Sequence, residues 1–309
     1  MSELRFDGRT AIVTGAGGNP GLGRAHALLL ARRGANVVVN DIGRDPESQG
    51  YADAASAEAV AAEIHALGGK AVADTHSVAT EAGAAAIVQT ALDAFGAVDI
   101  LVNNAGICIV ADFDTITARD FQRTIDINLM GPVWTTRAAW PHMKRRGYGR
   151  IVNITSGSMA GYPWQTAYAA SKGGLFSFTR ALASDGAAHG IKANSVNPGG
   201  LTRMVTAAQE STSPFIQFAK EHLPPELSSP AVALLAHESC PVTGECIECV
   251  GGDVRRVYLA QTAGISDRAL TLEKLAARFD EVLAGAAEGR IRHDAADPRE
   301  WHIKPYQRR

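Results

Sequence analysis

A tyrosine and a lysine four residues apart, Tyr168 and Lys172, form the pair in this sequence best suited to proton transfer. The surrounding segment predicts a helix, and residues at positions i and i+4 lie on one helix face. Because a neighbouring ammonium group stabilises a phenolate, Lys172 is expected to lower the pKa of Tyr168 and make it a usable acid or base. The same spacing also occurs on ordinary solvent-exposed helices, so the pair must be weighed with its surroundings.

A serine hydroxyl is expected near this pair, because Ser156 follows a short run of β-branched residues that predicts a strand. Open α/β sheets bind their ligands at the carboxyl ends of the strands. The hydroxyl of Ser156 could therefore hold a substrate oxygen that faces Tyr168.

A glycine-rich turn, TGAGGNPGLGR at residues 14–24, lies between the first expected strand and the first expected helix. Glycines let the backbone approach a pyrophosphate closely, and a helix N-terminus supplies free N–H groups, although a plain tight turn has the same composition. Asp41 ends the second strand roughly 20 residues later, where a carboxylate would accept hydrogen bonds from the adenosine ribose. It would also repel a 2′-phosphate, which favours NAD over NADP, whereas Arg24 and Arg44 could act in the opposite direction.

The elements that must position these residues alternate along the chain. Strands are predicted at residues 10–14, 36–40, 70–74, 100–103, 150–155, 192–196 and 245–250, and helices at 23–33, 54–67, 81–95, 118–146, 166–189 and 230–236. This alternation predicts an α/β fold with one doubly wound, Rossmann-type parallel sheet of about seven strands and helices on both faces. We expect a catalytic domain over residues 1–255, with a substrate loop or lid at 200–229. Residues 256–309 would form an extension that packs on the core or on a partner subunit.

The composition is that of an ordinary soluble protein: 309 residues carry 30 Lys and Arg against 32 Asp and Glu, for a formal net charge of −2. That balance offers no basic field for nucleic acid. No apolar run approaches the ~20 residues of a membrane span, and no signal-peptide pattern is visible, so a cytoplasmic protein without membrane contact is expected. Four cysteines are too few for a disulfide scaffold.

Five features follow one another along the chain: TGAGG…GLG, NNAG at residues 103–106, Asn128, Ser156 and the YxxxK pair. In this order they resemble the motifs of the short-chain dehydrogenase/reductase family, over residues 5–255. The resemblance implies that Tyr168 exchanges a proton with the substrate oxygen and that Ser156 positions this oxygen. It further implies that Lys172 binds the nicotinamide ribose, and that Asn128 holds a water linking Lys172 to solvent.

The cofactor implied by the resemblance is NAD, with NADP less favoured. Its expected contacts are Gly15, Gly17, Asn19, Gly21, Leu22, Gly23, Asp41, Ser77, Val78, Asn104, Ala105, Gly106, Tyr168, Lys172, Pro198, Gly199 and Thr202. Three departures from the family pattern leave alternatives open. The insertion of Asn19-Pro20 allows the glycines to be counted from Gly15 or from Gly17. Ser77 and Val78 stand where the family commonly has an Asp. Ser156 precedes Tyr168 by twelve residues rather than the usual thirteen, so Thr155 and Ser158 stay possible.

Longer stretches, among them VVVNDIG and ALDAFGAVDILVNNAGI, are similar to the dehydrogenase unit of the peroxisomal multifunctional enzyme of β-oxidation and its bacterial relatives. This similarity implies oxidation of a 3-hydroxyacyl-CoA or a steroid-related alcohol with NAD. Another apolar alcohol, such as a terpene alcohol or hydroxysteroid, is the alternative. Family members pair through long helices, so a homodimer or homotetramer is expected. A non-catalytic NAD sensor or scaffold is the competing class, but a sensor would not need the complete proton relay.

Two further patterns have a structural and a functional interpretation. His237-x-x-Cys240 and Cys246-x-x-Cys249 offer zinc-ligand types, yet an odd separation sends the last two side chains to opposite faces of a strand, so no metal is expected. Apolar side chains that flank the catalytic segment could either fill the core or wall an apolar substrate pocket; they are Met159, Tyr162, Trp164, Met204, Phe215 and Phe218.

Overall fold

A computed structural model describes residues 3–43, 56–203, 205, 213–284 and 290–291. Its centre is an eight-stranded sheet in the order β3-β2-β1-β4-β5-β6-β7-β8. The first seven strands run parallel and the eighth antiparallel. The strands are β1 (Thr10–Thr14), β2 (Asn36–Asn40), β3 (Lys70–Asp74), β4 (Ile100–Asn103), β5 (Gly149–Ile154), β6 (Ile191–Gly199), β7 (Cys246–Val250) and β8 (Asp253–Val257).

Helices connect these strands and cover both faces of the sheet. They are α1 (Leu22–Arg32), α2 (Ala57–Ala66), α3 (Glu81–Phe95), α4 (Ala118–Ile125), α5 (Gly131–Arg146), α6 (Thr166–Gly186), α7 (Pro214–His222) and α8 (Ser229–Ala236). Among the described residues, no helix is both long enough and apolar enough to cross a membrane.

The core consists of two layers because successive strand residues point to opposite faces of the sheet. In β1, Ala11 and Val13 pack in the layer under α1, α2 and α8, whereas Ile12 packs in the layer under α3, α5 and α6. All three are fully buried. This two-sided burial explains why the strands read as unbroken β-branched runs rather than as alternating patterns.

The structure departs from the sequence-based expectation in two elements. The helix expected over residues 118–146 is divided by a π-helical turn, Asp126–Met130, between α4 and α5. An eighth strand, β8, follows the seven that were expected, and the domain boundary expected after residue 255 falls inside it. Its sequence, DVRRV, lacks an apolar run because four of its five residues are exposed at the sheet edge.

Beyond β8 the described residues form short elements at the protein surface. They are β9 (Ala260–Gln261), α9 (Leu272–Ala277), α10 (Phe279–Leu283) and β10 (Arg290–Ile291), with β9 and β10 paired antiparallel. The Thr262 hydroxyl donates to the carbonyl of Val282 at 3.0 Å, which ties α10 to the segment after β9. Neither of these two helices has a buried residue.

Candidate active site

The main cleft opens at the carboxyl end of the parallel strands, around the point where the strand order reverses between β1 and β4. The loops that follow these two strands diverge to opposite faces of the sheet, so a crevice forms between them. The β1 loop contributes the glycine-rich turn to one wall. The loops after β4, β5 and β6 and the start of α6 contribute the others.

The glycine-rich turn forms a cradle in which side chains would not fit. Gly15 has φ of +64°, and a Cβ there would lie 2.7 Å from the Cα of Ala105. A Cβ on Gly21 would collide with the carbonyl of Gly18, and one on Gly23 with the side chain of Asn104. The turn is therefore packed backbone against backbone, which is the arrangement that a pyrophosphate-binding loop requires.

The N-terminus of α1 opens into this cradle without a side-chain cap. Its N-cap residue is Gly21, and its first turn contains no acidic residue. The helices α2, α3 and α4 are instead capped by hydroxyls, those of Ser56, Thr80 and Thr117. Free N–H groups and the positive end of the helix dipole thus face the cleft, where they suit an anion.

Asn104 fastens the β4 loop to the glycine turn. Its side-chain nitrogen donates to the carbonyls of Thr14 and Gly15 at 2.8 and 2.9 Å. The Thr14 hydroxyl accepts hydrogen bonds from the backbone nitrogens of Asn104 and Ala105. The two sides of the crevice are therefore held at a fixed separation, with Asn104, Ala105 and Gly106 lining it.

Asp41 lies at the end of β2 and lines the same cleft. Its carboxylate oxygens accept hydrogen bonds from the backbone nitrogens of Gly17 and Gly43, each at 2.9 Å. Burial raises the pKa of the Asp41 carboxyl, against these two hydrogen bonds and the nearby charge of Arg203. Each carboxylate oxygen can accept a second hydrogen bond, so the group remains able to bind ribose hydroxyls.

Tyr168 and Lys172 lie one turn apart on α6 and both line the cleft. Lys172 is buried, and its Nζ lies 5.6 Å from the centre of the Tyr168 ring. The ammonium group donates to the carbonyl of Ile154, the last residue of β5, at 2.7 Å. Burial lowers the pKa of Lys172 to about 8 because desolvation disfavours the charged form.

Among the three candidate hydroxyls after β5, that of Ser156 best fits a role in the cleft. Thr155 also lines the cleft, but it is buried and its hydroxyl donates to the carbonyl of Val196 at 3.1 Å, within the sheet. The Ser158 hydroxyl donates to the side chain of Gln165 at 2.7 Å. Ser156 is half-buried and lines the cleft, and Ser158 supports it by accepting its hydrogen bond at 3.2 Å.

Asn128 lies directly behind the cleft wall, on the π-helical turn. Its side-chain oxygen accepts from the backbone nitrogen of Ile107, and its nitrogen donates to the carbonyl of the same residue. A Cβ on Gly106 would lie 3.2 Å from Oδ1 of Asn128 and 3.6 Å from Nζ of Lys172. Asn128 therefore fixes the loop of Gly106 and Ile107, close to Lys172. Widened helical turns of this type are frequent at functional sites.

Most of the residues expected from the sequence line one continuous cleft. They are Gly15, Gly21, Leu22, Gly23, Asp41, Ser77, Val78, Asn104, Ala105, Gly106, Ser156, Tyr168, Lys172, Pro198 and Thr202. Gly17 is buried behind it and supports Asp41, Asn19 is exposed on the turn, and Gly199 packs against Val250. Of the glycines in the turn, Gly15, Gly18, Gly21 and Gly23 line the cleft.

Several residues that line the cleft were not predicted from the sequence. Among them are three apolar residues, Ile42, Ile107 and Ile127, and one cation, Arg203. Ile42 could have been found, because it directly follows Asp41 at the end of β2. Arg203 carried no motif signal, since its position depends on how the chain leaves β6. Of the two arginines near the glycine turn and Asp41 in the sequence, Arg24 makes a salt bridge to Glu63, and Arg44 lies outside the described residues.

Exposed apolar side chains surround the loops next to Ser156 and Ile107. Val110, Phe113, Tyr162 and Trp164 are 55%, 74%, 55% and 59% exposed. A hydrogen bond of 2.9 Å from the Ala111 nitrogen to the Trp164 carbonyl joins the two loops that carry them. Large exposed apolar groups in one region commonly mark a binding surface. Of the other residues expected to wall the pocket, Met204 and the side chain of Phe215 lie outside the described part of the chain.

The cysteines distribute over separate environments. Cys246 contacts the hydroxyl of Thr155, whereas the thiol of Cys249 donates to the carbonyl of Leu227 on another side. The His237 ring instead hydrogen-bonds with Ser239 and the carbonyl of Arg5. Within the ranges that the structure describes, no three His, Cys, Asp or Glu side chains come together as a metal site.

Comparisons with known proteins agree with this architecture. Residues 9–213 match the family model described as short chain dehydrogenase. The chain is 43% identical over 282 residues to a short-chain type dehydrogenase/reductase of Mycobacterium tuberculosis, which covers 90% of this chain and 96% of that protein.

Two other matches extend the comparison. The chain is 43% identical over 264 residues to peroxisomal multifunctional enzyme type 2 of Mus musculus, covering 85% of this chain but 34% of that enzyme, so it spans about a third of the mouse protein. The solved structure of a 7α-hydroxysteroid dehydrogenase in complex with NADH and 7-oxo glycochenodeoxycholic acid aligns with a TM-score of 0.71 and 32% identity. That alignment covers 82% of this chain and 98% of the other.

Proposed function

The chain belongs to the short-chain dehydrogenase family, and from that premise we propose that it is an NAD-dependent dehydrogenase of secondary alcohols. The observation that carries the proposal is the placement of Ser156, Tyr168 and Lys172 in a cleft that continues into the glycine cradle. A proton acceptor and a nucleotide site in one crevice are what alcohol oxidation needs. A nucleotide-binding scaffold would need only the second.

The residues present fit a dinucleotide. The cradle has no room for Cβ atoms at Gly15, Gly21 and Gly23, and the uncapped N-terminus of α1 faces it. Asp41 lies where the adenosine ribose would bind, and its charge favours NAD over NADP. When bound, the nicotinamide accepts a hydride from the alcohol carbon.

The proton follows a path made by this chain's own side chains. Tyr168, as the phenolate, takes the proton of the substrate hydroxyl at Oη and acts as a general base. With substrate bound, the hydroxyl of Ser156 would turn from Ser158, donate its one proton to the substrate oxygen and hold that oxygen toward Tyr168. The positive charge of Lys172, whose Nζ lies 5.6 Å from the centre of the Tyr168 ring, stabilises the phenolate. In the reverse direction Tyr168 returns the proton as a general acid.

The proposed substrate is a 3-hydroxyacyl-CoA. This choice is supported by the similarity to the multifunctional enzyme and by the exposed apolar side chains on the loops next to Ser156 and Ile107, which suit an acyl chain. A hydroxysteroid is the second candidate, favoured by the structural similarity to a 7α-hydroxysteroid dehydrogenase. Family members commonly form oligomers, and we propose a homodimer or homotetramer for this chain.

The test is formation of NADH, followed by absorbance, with a panel of substrates. The panel pairs 3-hydroxyacyl-CoA esters of increasing chain length with the free 3-hydroxy acids, and adds hydroxysteroids. Each is offered with NAD and with NADP, and Tyr168→Phe serves as the inactive control. We expect turnover of the CoA esters with NAD. Tight NAD binding without turnover of any alcohol would instead identify a sensor.

A further inference from the structure

An arginine that the family motifs do not include lies in the cleft, against the glycine-rich turn. Arg203 follows Thr202 in the loop after β6 and lines the cleft. Its backbone nitrogen donates to the carbonyl of Pro20 at 3.3 Å, so the two loops meet directly. The position of the arginine is thus set by the same turn that forms the cradle.

The side chain of Arg203 lies over this turn. A Cβ added to Gly18 would be 2.9 Å from one terminal guanidinium nitrogen of Arg203 and 3.2 Å from its Nε. The guanidinium therefore lies directly against Gly18 of the turn. The charge of Arg203 also acts on the carboxylate of Asp41, which places it on the adenosine side of the cleft.

A pyrophosphate bound at the glycine turn would be stabilised by a nearby cation. Among the described residues that line it, the cations are Lys172 and Arg203. Lys172 is held at the catalytic end by the carbonyl of Ile154. A pyrophosphate carries two negative charges, and the glycine turn and the N-terminus of α1 offer it backbone N–H donors but no charged side chain. A guanidinium can bind phosphate oxygens with two parallel hydrogen bonds.

We propose that Arg203, which lies against Gly18 of the glycine turn, binds the pyrophosphate of the dinucleotide as a cofactor-binding residue. The inference rests on the proposed use of NAD. Arg203 would close the cradle that the backbone leaves open and would favour ligands that contain a pyrophosphate over those that contain only adenosine. A second possible ligand for the guanidinium is a 2′-phosphate on the ribose at Asp41, and the experiment separates the two.

The experiment measures dissociation constants by isothermal titration calorimetry for NAD, ADP, adenosine and adenosine 2′-monophosphate. The variants are Arg203→Met, which keeps the apolar stem, and Arg203→Lys, which keeps the charge without the planar fork. Arg32→Met is the matched control, since this exposed arginine at the far end of α1 changes the net charge equally. Unfolding temperatures show whether each variant keeps the fold.

We expect Arg203→Met to raise the dissociation constants of NAD and ADP by about 10- to 100-fold, the range for loss of hydrogen bonds to a charged group. The constant for adenosine should change less than twofold, Arg203→Lys should fall between, and Arg32→Met should match the wild type.

Three results would overturn the inference: unchanged ADP binding, an equal loss for adenosine and ADP, or a loss confined to the 2′-monophosphate. In all three the wild type still binds NAD and the proposed function stands. A wild-type protein that binds no nucleotide would contradict both the role of Arg203 and the proposed function.

Discussion

Replacing Lys172 by methionine is expected to change how the stability of the protein depends on pH. In the folded protein burial lowers the pKa of Lys172 from its ordinary value of 10.5 to about 8. In the unfolded chain the ammonium group is hydrated and keeps its proton up to the ordinary value. Between these two pH values unfolding therefore takes up a proton, so the free energy of unfolding rises with pH across this window.

The size of the effect follows from the two pKa values. The gap between 10.5 and about 8 corresponds to a penalty of about 3 kcal/mol at ~1.36 kcal/mol per pKa unit, present almost in full at about pH 7 and below. Raising the pH from about 7 to about 9.5 removes about 2 kcal/mol of it. The variant has no proton to lose, and the lost hydrogen bond to the carbonyl of Ile154 adds an offset that does not vary with pH.

The assay is urea unfolding of the wild type and of Lys172→Met at several pH values between about 7 and 9.5. We expect the wild type to gain about 2 kcal/mol relative to the variant over this range. Cys108 is the necessary control, because its thiol is electrostatically coupled to Lys172. Both proteins should therefore also be measured with Cys108→Ser. A difference that stays constant over this pH range would refute the assignment of a buried, easily deprotonated lysine.

Three other changes test the remaining parts of the molecule. Tyr168→Phe should lower kcat by 10²- to 10⁴-fold and leave NAD affinity within about threefold, because it removes the proton acceptor alone; stopped-flow and calorimetry decide, and activity within tenfold of wild type would contradict it. The wild type should prefer NAD over NADP by at least about tenfold in kcat/KM, and Asp41→Ala should narrow this ratio mainly by losing NAD affinity; equal use of both cofactors by the wild type would show that Asp41 serves another purpose. Asp99 is fully buried beside Arg9 and Arg146, at the amino ends of the strands and away from the cleft. Asp99→Asn should lower the free energy of unfolding by about 2–3 kcal/mol. This loss is smaller than that for breaking a fully enclosed ion pair, because both arginines reach solvent. NAD affinity should not change, and a weakened affinity would mean that the defect spreads to the cleft.

The parallel strands could be predicted from the sequence because their burial leaves a direct signal. A strand covered on both faces needs an apolar residue at nearly every position, and runs such as TAIVT and NVVVN meet that need. The edge strand β8 carries no such signal, since exposure lets DVRRV be polar. Its arginines pair with Glu248 on the neighbouring strand β7 and with Glu245 directly before that strand. In the sequence alone, such a charged segment cannot be distinguished from a charged loop.

The candidate site divides in the same way. Tyr168 and Lys172 could be paired from sequence because helical spacing fixes their relation. The choice among Thr155, Ser156 and Ser158 could not be made from spacing, since it depends on the turn after β5 and on which hydroxyl the sheet already engages. Arg203 was missed because its contact with Gly18 joins segments about 185 residues apart, and no local pattern encodes such a meeting.

Two features of the cleft lower the stability of the fold: the N-terminus of α1 has no side-chain cap, and Lys172 is buried. Both features suit a dinucleotide. Relative to glycine, a hydroxyl cap adds roughly a few tenths of a kcal/mol to a helix, and α2, α3 and α4 each have one, whereas α1 begins after Gly21. Lys172 is buried at a further cost. The backbone N–H groups of α1 suit the anionic pyrophosphate, whereas the ammonium group of Lys172, which already donates to the carbonyl of Ile154, has further donors for ribose hydroxyls. A dinucleotide that spans the crevice would bind to both groups at once, so NAD should stabilise the fold and raise the unfolding temperature with its concentration.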